Sequence, residues 1–361
     1  MSSSKPDAAT QSDQNKSLNV GSGNGTSLGS DSSISSFESV ICGGTAGLVS
    51  RMVIAPLDVV KIRFQLHFDP KQNNVKLAPS TPAAAVRFKI YHQLVSIFKQ
   101  EGITALWKGN VPAEIMYVLY GATQFTTYRV VSNSVKSVYP TIPDPTLSFV
   151  SGAASGLMAT TITYPFDLLR TRFAVQGAAG SDRIYRSLPY AISHIYKNEG
   201  LTGYFRGLIP ALISVVPYMG LMFTSYNQAR RLLEYIAPTQ NGPDAKFTDI
   251  HPLIISHEAI AGFTAGVISK GAVFPFDLLR KRLQVQGPTR SHYMAGTIPL
   301  YPKNPIACAL YILKREGISS FYRGFFVSLL KSAPASAMTM WTFENSLYLL
   351  RFLKSNGYLN Y

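Results

Sequence analysis

Three blocks of the chain carry an acid and a base at fixed spacing behind a proline: PLDVVKIR at 56–63, PFDLLRTR at 165–172 and PFDLLRKR at 275–282. Each reads Pro-x-Asp-x-x-basic-x-Arg, and the prolines stand 109 and 110 residues apart. Three copies of one unit around a common axis would bring three carboxylates and three cations into one ring. The chemistry open to such a ring is ion pairing that can be made and broken, which makes it a closing device. Catalysis has no comparable signature. There is no P-loop, dinucleotide-binding glycine motif or nucleophile elbow. The histidines at 67, 92, 194, 251, 257 and 292 form no ligand-spaced pair. The expectation is no enzyme, no metal and no cofactor.

The elements that must position this ring repeat in register with it. Thirteen and nine residues before each proline stand two glycines: Gly43 and Gly47, Gly152 and Gly156, Gly262 and Gly266. That spacing lets helix backbones approach closely inside a membrane. Downstream come Glu-Gly and an aromatic-basic-Gly triplet: Glu101-Gly102 with Trp107-Lys108-Gly109, Glu199-Gly200 with Phe205-Arg206-Gly207, and Glu316-Gly317 with Tyr322-Arg323-Gly324. A mostly apolar stretch of about twenty residues, enough to span a bilayer as a helix, follows each triplet. The unit reads as helix, basic loop with a short helix, helix. Proline removes a backbone donor, so Pro56, Pro165 and Pro275 are expected to end or kink the first helix of each unit.

Composition points the same way. With 46% apolar and only 15% charged residues, the chain leans toward a polytopic membrane protein. The stretch Gly207–Gln228 is uncharged and long enough to cross the hydrocarbon as a helix. Five further spans are expected near 38–66, 110–131, 146–175, 257–286 and 325–349. Charges such as Arg51, Lys270, Lys331 and Glu344 within them are expensive in lipid, and by default they line a water-filled path. The net charge of +15 suits an anionic lipid surface. Nucleic acid is not an expected partner, because the basic residues are dispersed among apolar spans without a recognition module. The Ser/Gly/Asn/Asp-rich segment 1–37 lacks the apolar content to fold, and it has neither the apolar core of a signal peptide nor the arginines of a transit peptide. Two cysteines, Cys42 and Cys308, do not make a disulfide scaffold.

The three motif blocks, the six spans and the Glu-Gly…aromatic-basic-Gly loops resemble the mitochondrial solute carrier family over about residues 38–350. The resemblance implies an all-α membrane protein of six transmembrane helices. These form three pseudosymmetric repeats around a barrel with a central cavity, with short matrix-side helices. The repeats would cover 38–135, 146–235 and 254–352. It further implies a monomer in the mitochondrial inner membrane, multi-pass, with both termini toward the cytoplasm and anionic lipid such as cardiolipin as a partner. By family topology the matrix gate would pair Asp58 with Arg170, Asp167 with Arg280 and Asp277 with Lys61. Gln65 and Gln284 take the place of bracing glutamines, while Ala174 cannot brace. The cytoplasmic gate departs from the family pattern. Only Arg230–Glu344 remains as an ion pair there, with Tyr128 and Tyr226 as hydrogen-bonding braces. A resting state open to the cytoplasm is therefore expected.

The same resemblance places solute contacts twelve residues before the gate aromatics: Met116, Ser214 with Val215, and Lys331. Arg51 and Lys270, five residues before their prolines, lie at equivalent inward levels. Three uncompensated cations call for a polyanion such as phosphate. Tyr120 and Tyr218 lie about one helical turn from the contact positions and offer faces for a heteroaromatic ring. VSRMVIAPLDVVKIRFQL at 49–66, NVPAEIMYVLYGATQF at 110–125, DLLRTRFAVQG at 167–177, GVISK at 266–270 and SLLK at 328–331 closely resemble members of the family that transport thiamine pyrophosphate. The implied function is carriage of that solute by alternating access, in exchange for a nucleotide or phosphate counter-substrate. Adenine nucleotides, coenzyme A and deoxynucleotides are alternative solutes, and a proton-leak pore is the alternative of another class.

Overall fold

The computed structural model describes residues 36–66, 82–176, 184–236, 257–293 and 298–355. The tail expected over 1–37 lies outside the described residues up to residue 35. In chain order the helices are α1 (Ser36–Leu66), α2 (Pro82–Glu101), α3 (Asn110–Val138), α4 (Asp144–Val175) and α5 (Leu188–Gly203). They continue as α6 (Leu208–Ile236), α7 (His257–Gln284), α8 (Pro305–Glu316), α9 (Phe325–Leu330) and α10 (Ser332–Ser355). Each repeat thus runs as a proline-bearing helix, a shorter helix and a second long helix. In the third repeat that last helix is divided at Lys331.

The prolines do not end their helices: α1, α4 and α7 run on past Pro56, Pro165 and Pro275. A proline leaves the carbonyl four residues back without its donor. In α1 that carbonyl belongs to Met52, and Trp107 Nε1 donates to it at 2.9 Å. In the other repeats the aromatic of the same triplet stacks on the ring preceding the proline, Phe205 on Tyr164 and Tyr322 on Phe274. One job of the triplet aromatic is therefore to support its own repeat's proline.

The packing is cyclic. α3 lies along α4, α6 along α7 and α10 along α1, so the last helix of each repeat meets the first helix of the next, and the third returns to the first. The glycine closing each triplet makes the same step. Gly109, Gly207 and Gly324 have φ of 85°, 80° and 84°. A Cβ on them would stand 2.6 Å from the Arg170 carbonyl oxygen, 2.9 Å from that of Arg280 and 3.4 Å from that of Lys61. Gly102, at φ 82°, faces open space. Gly102→Ala is thus expected to cost only backbone strain, about 1–3 kcal/mol, since φ 82° with ψ 171° is a region kept to glycine. Gly109→Ala adds about 1–3 kcal/mol of overpacking against backbone. Thermal unfolding of the two purified variants checks the order.

The glycine pairs serve unequally. Gly156 stands 3.0 Å, measured from a built Cβ, from Val215 Cγ1, and Gly152 approaches Met219. Gly43, Gly47, Gly262 and Gly266 meet nothing within 4 Å, so the expected close approach is confined to α4 against α6. The buried apolar cluster sits at the other end, around the motif blocks. Val59, Leu66, Leu168, Leu278 and Leu283 meet Ile97, Ile195 and Ile312 of the shorter helices there. Among the described residues, one helix, α6, is long and apolar enough to cross a membrane by length and composition.

Candidate functional site

The last arginine of each motif block anchors the site. Arg63 pairs with Glu101, which also holds Lys108; Arg172 pairs with Glu199, which holds Arg206; Arg282 pairs with Glu316, which holds Arg323. Sequence analysis found all nine residues in register but assigned them no contact. The carboxylate of the Glu-Gly pair joins the motif arginine to the triplet base, so each loop is tied to its own first helix. Each arginine then reaches into the next repeat with Nε. Arg63 donates to the Ala174 carbonyl at 3.0 Å, Arg172 to that of Gln284 at 3.0 Å and Arg282 to that of Gln65 at 3.4 Å. Burial raises the Glu101 carboxyl, but the hydrogen bonds of Arg63 and Lys108 outweigh it and hold it below its usual range. Its contribution is therefore present at neutral pH and is lost on acidification through that depressed pKa.

One turn back along the same helices lies the expected gate. Arg170 Nη2 sits 2.5 Å from Asp58 Oδ2, and Arg280 Nη2 sits 2.9 Å from Asp167 Oδ2. The second pair is reinforced beyond expectation. Lys281 Nζ reaches both Asp167 oxygens at 2.9 and 3.0 Å, Thr171 Oγ1 at 2.9 Å and Gln284 Oε1 at 3.1 Å. Gln284 Nε2 also donates to Asp167 at 2.5 Å. Gln284 thus stands in the bracing position.

The third pair, Asp277 with Lys61, is not made among the described residues. Lys61 instead stands over the Phe274 ring, 5.8 Å from its centroid, within electrostatic reach of the Lys331 and Lys270 cations and of Asp277. Gln65 is fully buried, and neither end of its amide has a hydrogen-bond partner. It therefore does not brace. With its neighbouring pair open, it has no ion pair to bridge.

Of the expected contact residues, Arg51 and Lys331 join the contacts of this gate and Lys270 lies beside them. The Arg51 guanidinium lies over the ring of Tyr117, and Arg170 Nη1 reaches the Tyr117 hydroxyl at 3.3 Å. Tyr117 was missed by sequence analysis. It lies three residues before Tyr120, on the same helical face, and that was the available signal. Lys331 Nζ lies 2.5 Å from Asp58 Oδ1. A continuous chain of contacts, Arg51–Tyr117–Arg170–Asp58–Lys331, results. Lys270 Nζ donates to the Ser328 carbonyl at 3.2 Å, on the turn that ends at Lys331.

The remaining positions bond within or between helices. Met116 and Ser214 are buried, and Ser214 Oγ donates back to the Ala211 carbonyl at 2.7 Å. Val215 packs on Gly156. Tyr120 neighbours Thr160, and Tyr218 lies within electrostatic reach of Tyr120 and Asp277.

The opposite end does not hold the expected pair. Arg230 Nε bonds Glu234 Oε1 at 2.9 Å, one turn along α6, and Glu344 makes no ion pair among the described residues. Among the described residues the Tyr128 and Tyr226 hydroxyls make no hydrogen bond to Arg230 or Glu344. The reason is placement: α6 packs on α4 and α7, and α10 on α1, so the partners stand on helices that do not meet along their length.

The family model described as mitochondrial carrier protein matches residues 32–138, 143–236 and 252–353. Three relatives, each named mitochondrial thiamine pyrophosphate carrier 1, show the extent of similarity. That of Coccidioides immitis is 46% identical over 321 residues, covering 87% of this chain and 93% of the relative. That of Aspergillus oryzae is 47% identical over 321 residues, covering 87% and 93%. That of Neosartorya fischeri is 48% identical over 316 residues, covering 86% and 92%.

Proposed function

This chain belongs to the mitochondrial carrier protein family, a family of membrane transporters and not enzymes, and from that premise we propose that it carries thiamine pyrophosphate across the mitochondrial inner membrane. The observation that carries the reading is the cluster of cations in which Arg51 and Arg170 meet Tyr117, Lys331 joins Arg170 through Asp58, and Lys270 bonds the turn that ends at Lys331, in a chain so similar to carriers named for that solute. The cations suit a diphosphate. The tyrosine faces suit an aminopyrimidine and, by cation–π attraction, a thiazolium.

The transport path is a six-span barrel. The cyclic pairing of α3 with α4, α6 with α7 and α10 with α1 supports it, as do large apolar side chains left exposed on every long helix. Met52, Val118, Met158, Ile213, Phe263 and Trp341 are each at least 49% exposed, a surface that suits lipid. The two made gate pairs and the unmade Arg230–Glu344 pair support a resting state open to the cytoplasm, with both termini on that side. Exposed Lys99, Lys197 and Lys314, each two residues before its loop glutamate, suit an anionic lipid such as cardiolipin. The carrier acts as a monomer. Moving one negative charge into a negative matrix costs about 2.3 kcal/mol per 100 mV, so exchange for an internal nucleotide or phosphate ester offsets part of the work.

The test uses liposomes preloaded with thiamine pyrophosphate and labelled solute outside. Saturable uptake, competed poorly by adenine nucleotides and lost in Lys331→Ala, is expected. Uptake of coenzyme A or adenine nucleotides alone replaces the solute but keeps the carrier. Potential dissipated without saturable uptake makes the protein a leak pore and ends the reading.

A further inference from the structure

The carboxylate of Asp58 is held from two sides by cations of different origin. Arg170, the gate partner from the second repeat, takes Oδ2 at 2.5 Å, while Lys331, a solute-contact position of the third repeat, takes Oδ1 at 2.5 Å. The positions equivalent to Lys331 in the other repeats are Met116 and Ser214, which carry no charge, so the arrangement occurs once. We propose that Asp58 is a specificity-determining counter-anion: it occupies Lys331 until a diphosphate displaces it. The proposal rests on the solute reading above.

The three gate positions differ in what a solute can do to them. At the second, Asp167 is surrounded by Arg280, Lys281, Gln284 and, through Lys281, Thr171, none of them a contact position. At the third, Lys61 and Asp277 make no ion pair among the described residues, and Lys61 stands over the Phe274 ring. Only the first gate shares an atom with the contact set. A phosphate approaching Lys331 must therefore compete with Asp58, and a phosphate that wins leaves the carboxylate with Arg170 alone.

Lys270 explains why a second phosphate matters. Among the described residues its ammonium bonds a backbone carbonyl and no carboxylate, so it receives an anion without displacing one. It attends the same turn, 328–331, from which Lys331 projects. A monophosphate satisfied by Lys270 leaves the Asp58–Lys331 contact intact. Two phosphates joined through one oxygen engage both ammoniums and remove Lys331 from Asp58. Discrimination between diphosphate and monophosphate follows from the need to outcompete a resident carboxylate.

The experiment is a double-mutant cycle on the full-length protein. Solute affinity is read from the concentration dependence of thermal unfolding, with thiamine pyrophosphate and thiamine monophosphate compared. Asp58→Asn is expected to tighten pyrophosphate binding about tenfold, the low end of a charge-assisted hydrogen bond, and to narrow the preference over monophosphate. In a Lys331→Gln background the same substitution is expected to change nothing. Equal effects of Asp58→Asn in both backgrounds, or weaker binding, overturn the proposal and leave Asp58 a gate residue only. Asp58→Ser replaces Asp58→Asn if the latter does not fold. If the wild type ignores thiamine pyrophosphate, the solute reading fails by itself. The cycle is then run with inorganic pyrophosphate against orthophosphate, and the same coupling decides for or against the latch.

Discussion

Replacing Glu316 with alanine is expected to cost about 3–5 kcal/mol of stability, the usual loss when one partner of a buried ion pair is removed. The side chains of Glu316 and Arg282 are both 0% exposed. Glu316 receives two Arg282 nitrogens, Arg323 and the Tyr301 hydroxyl. Without it, Arg282 keeps its buried charge with only the Tyr301 ring, 5.3 Å from its guanidinium, and one long bond to the Gln65 carbonyl. The cost lies in the orphaned cation more than in the lost attraction. The double variant Arg282→Met/Glu316→Leu is therefore expected to recover much of the loss, since no charge is left unpaired. Thermal unfolding of the purified protein decides: a Glu316→Ala variant within about 1 kcal/mol of wild type, the worth of an exposed pair, would sink the argument.

The second large effect separates two residues that the repeat makes equivalent. Asp167→Asn is expected to destabilise by about 3–5 kcal/mol, because Arg280 and Lys281 then face each other without a carboxylate. Asp277→Asn, at the matching place in the third repeat, removes no ion pair within 4 Å among the described residues and is expected to cost about 1 kcal/mol or less. Unfolding midpoints give the stability difference. Passive anion leak through proteoliposomes gives the functional one, large for Asp167→Asn and slight for Asp277→Asn. Equal losses in the two variants would mean that the three seams share the load, contrary to the geometry.

Much of this was legible because a covalent repeat writes itself along the chain. Proline, glycine and acid-base positions need only counting, and the Asp58–Arg170 and Asp167–Arg280 pairs stand where family topology put them. Contacts between repeats were less legible where they depend on helix rotation and on one non-repeating residue. Lys281 sits at the position filled by Ile62 and Thr171 in the other repeats, so symmetry predicts nothing for it. Lys331 was placed on a solute by its register, but its nearest anion is a gate carboxylate from another repeat, which no spacing within a repeat encodes. The Arg63, Arg172 and Arg282 ties were visible as motif letters, while their backbone acceptors could be known only once the helices were laid side by side. Arg230 and Glu344 show the converse: their chemistry suits a pair, and in this structure Arg230 bonds Glu234 on its own helix.

The Nε bonds of those three arginines form a hoop of three joints, and the joints are not alike. Two of them connect repeats that are also spliced by peptide chain. The third, Arg282 to the Gln65 carbonyl, bridges 217 residues and has no splice. It is also the longest of the three, and beside it lie the open Lys61–Asp277 pair and the unpartnered Gln65 amide. A contact of such sequence separation forms late, after the loop it closes has been ordered. The first repeat therefore waits through synthesis of the whole chain for the partner that completes it, and the hoop's last-made joint is its weakest.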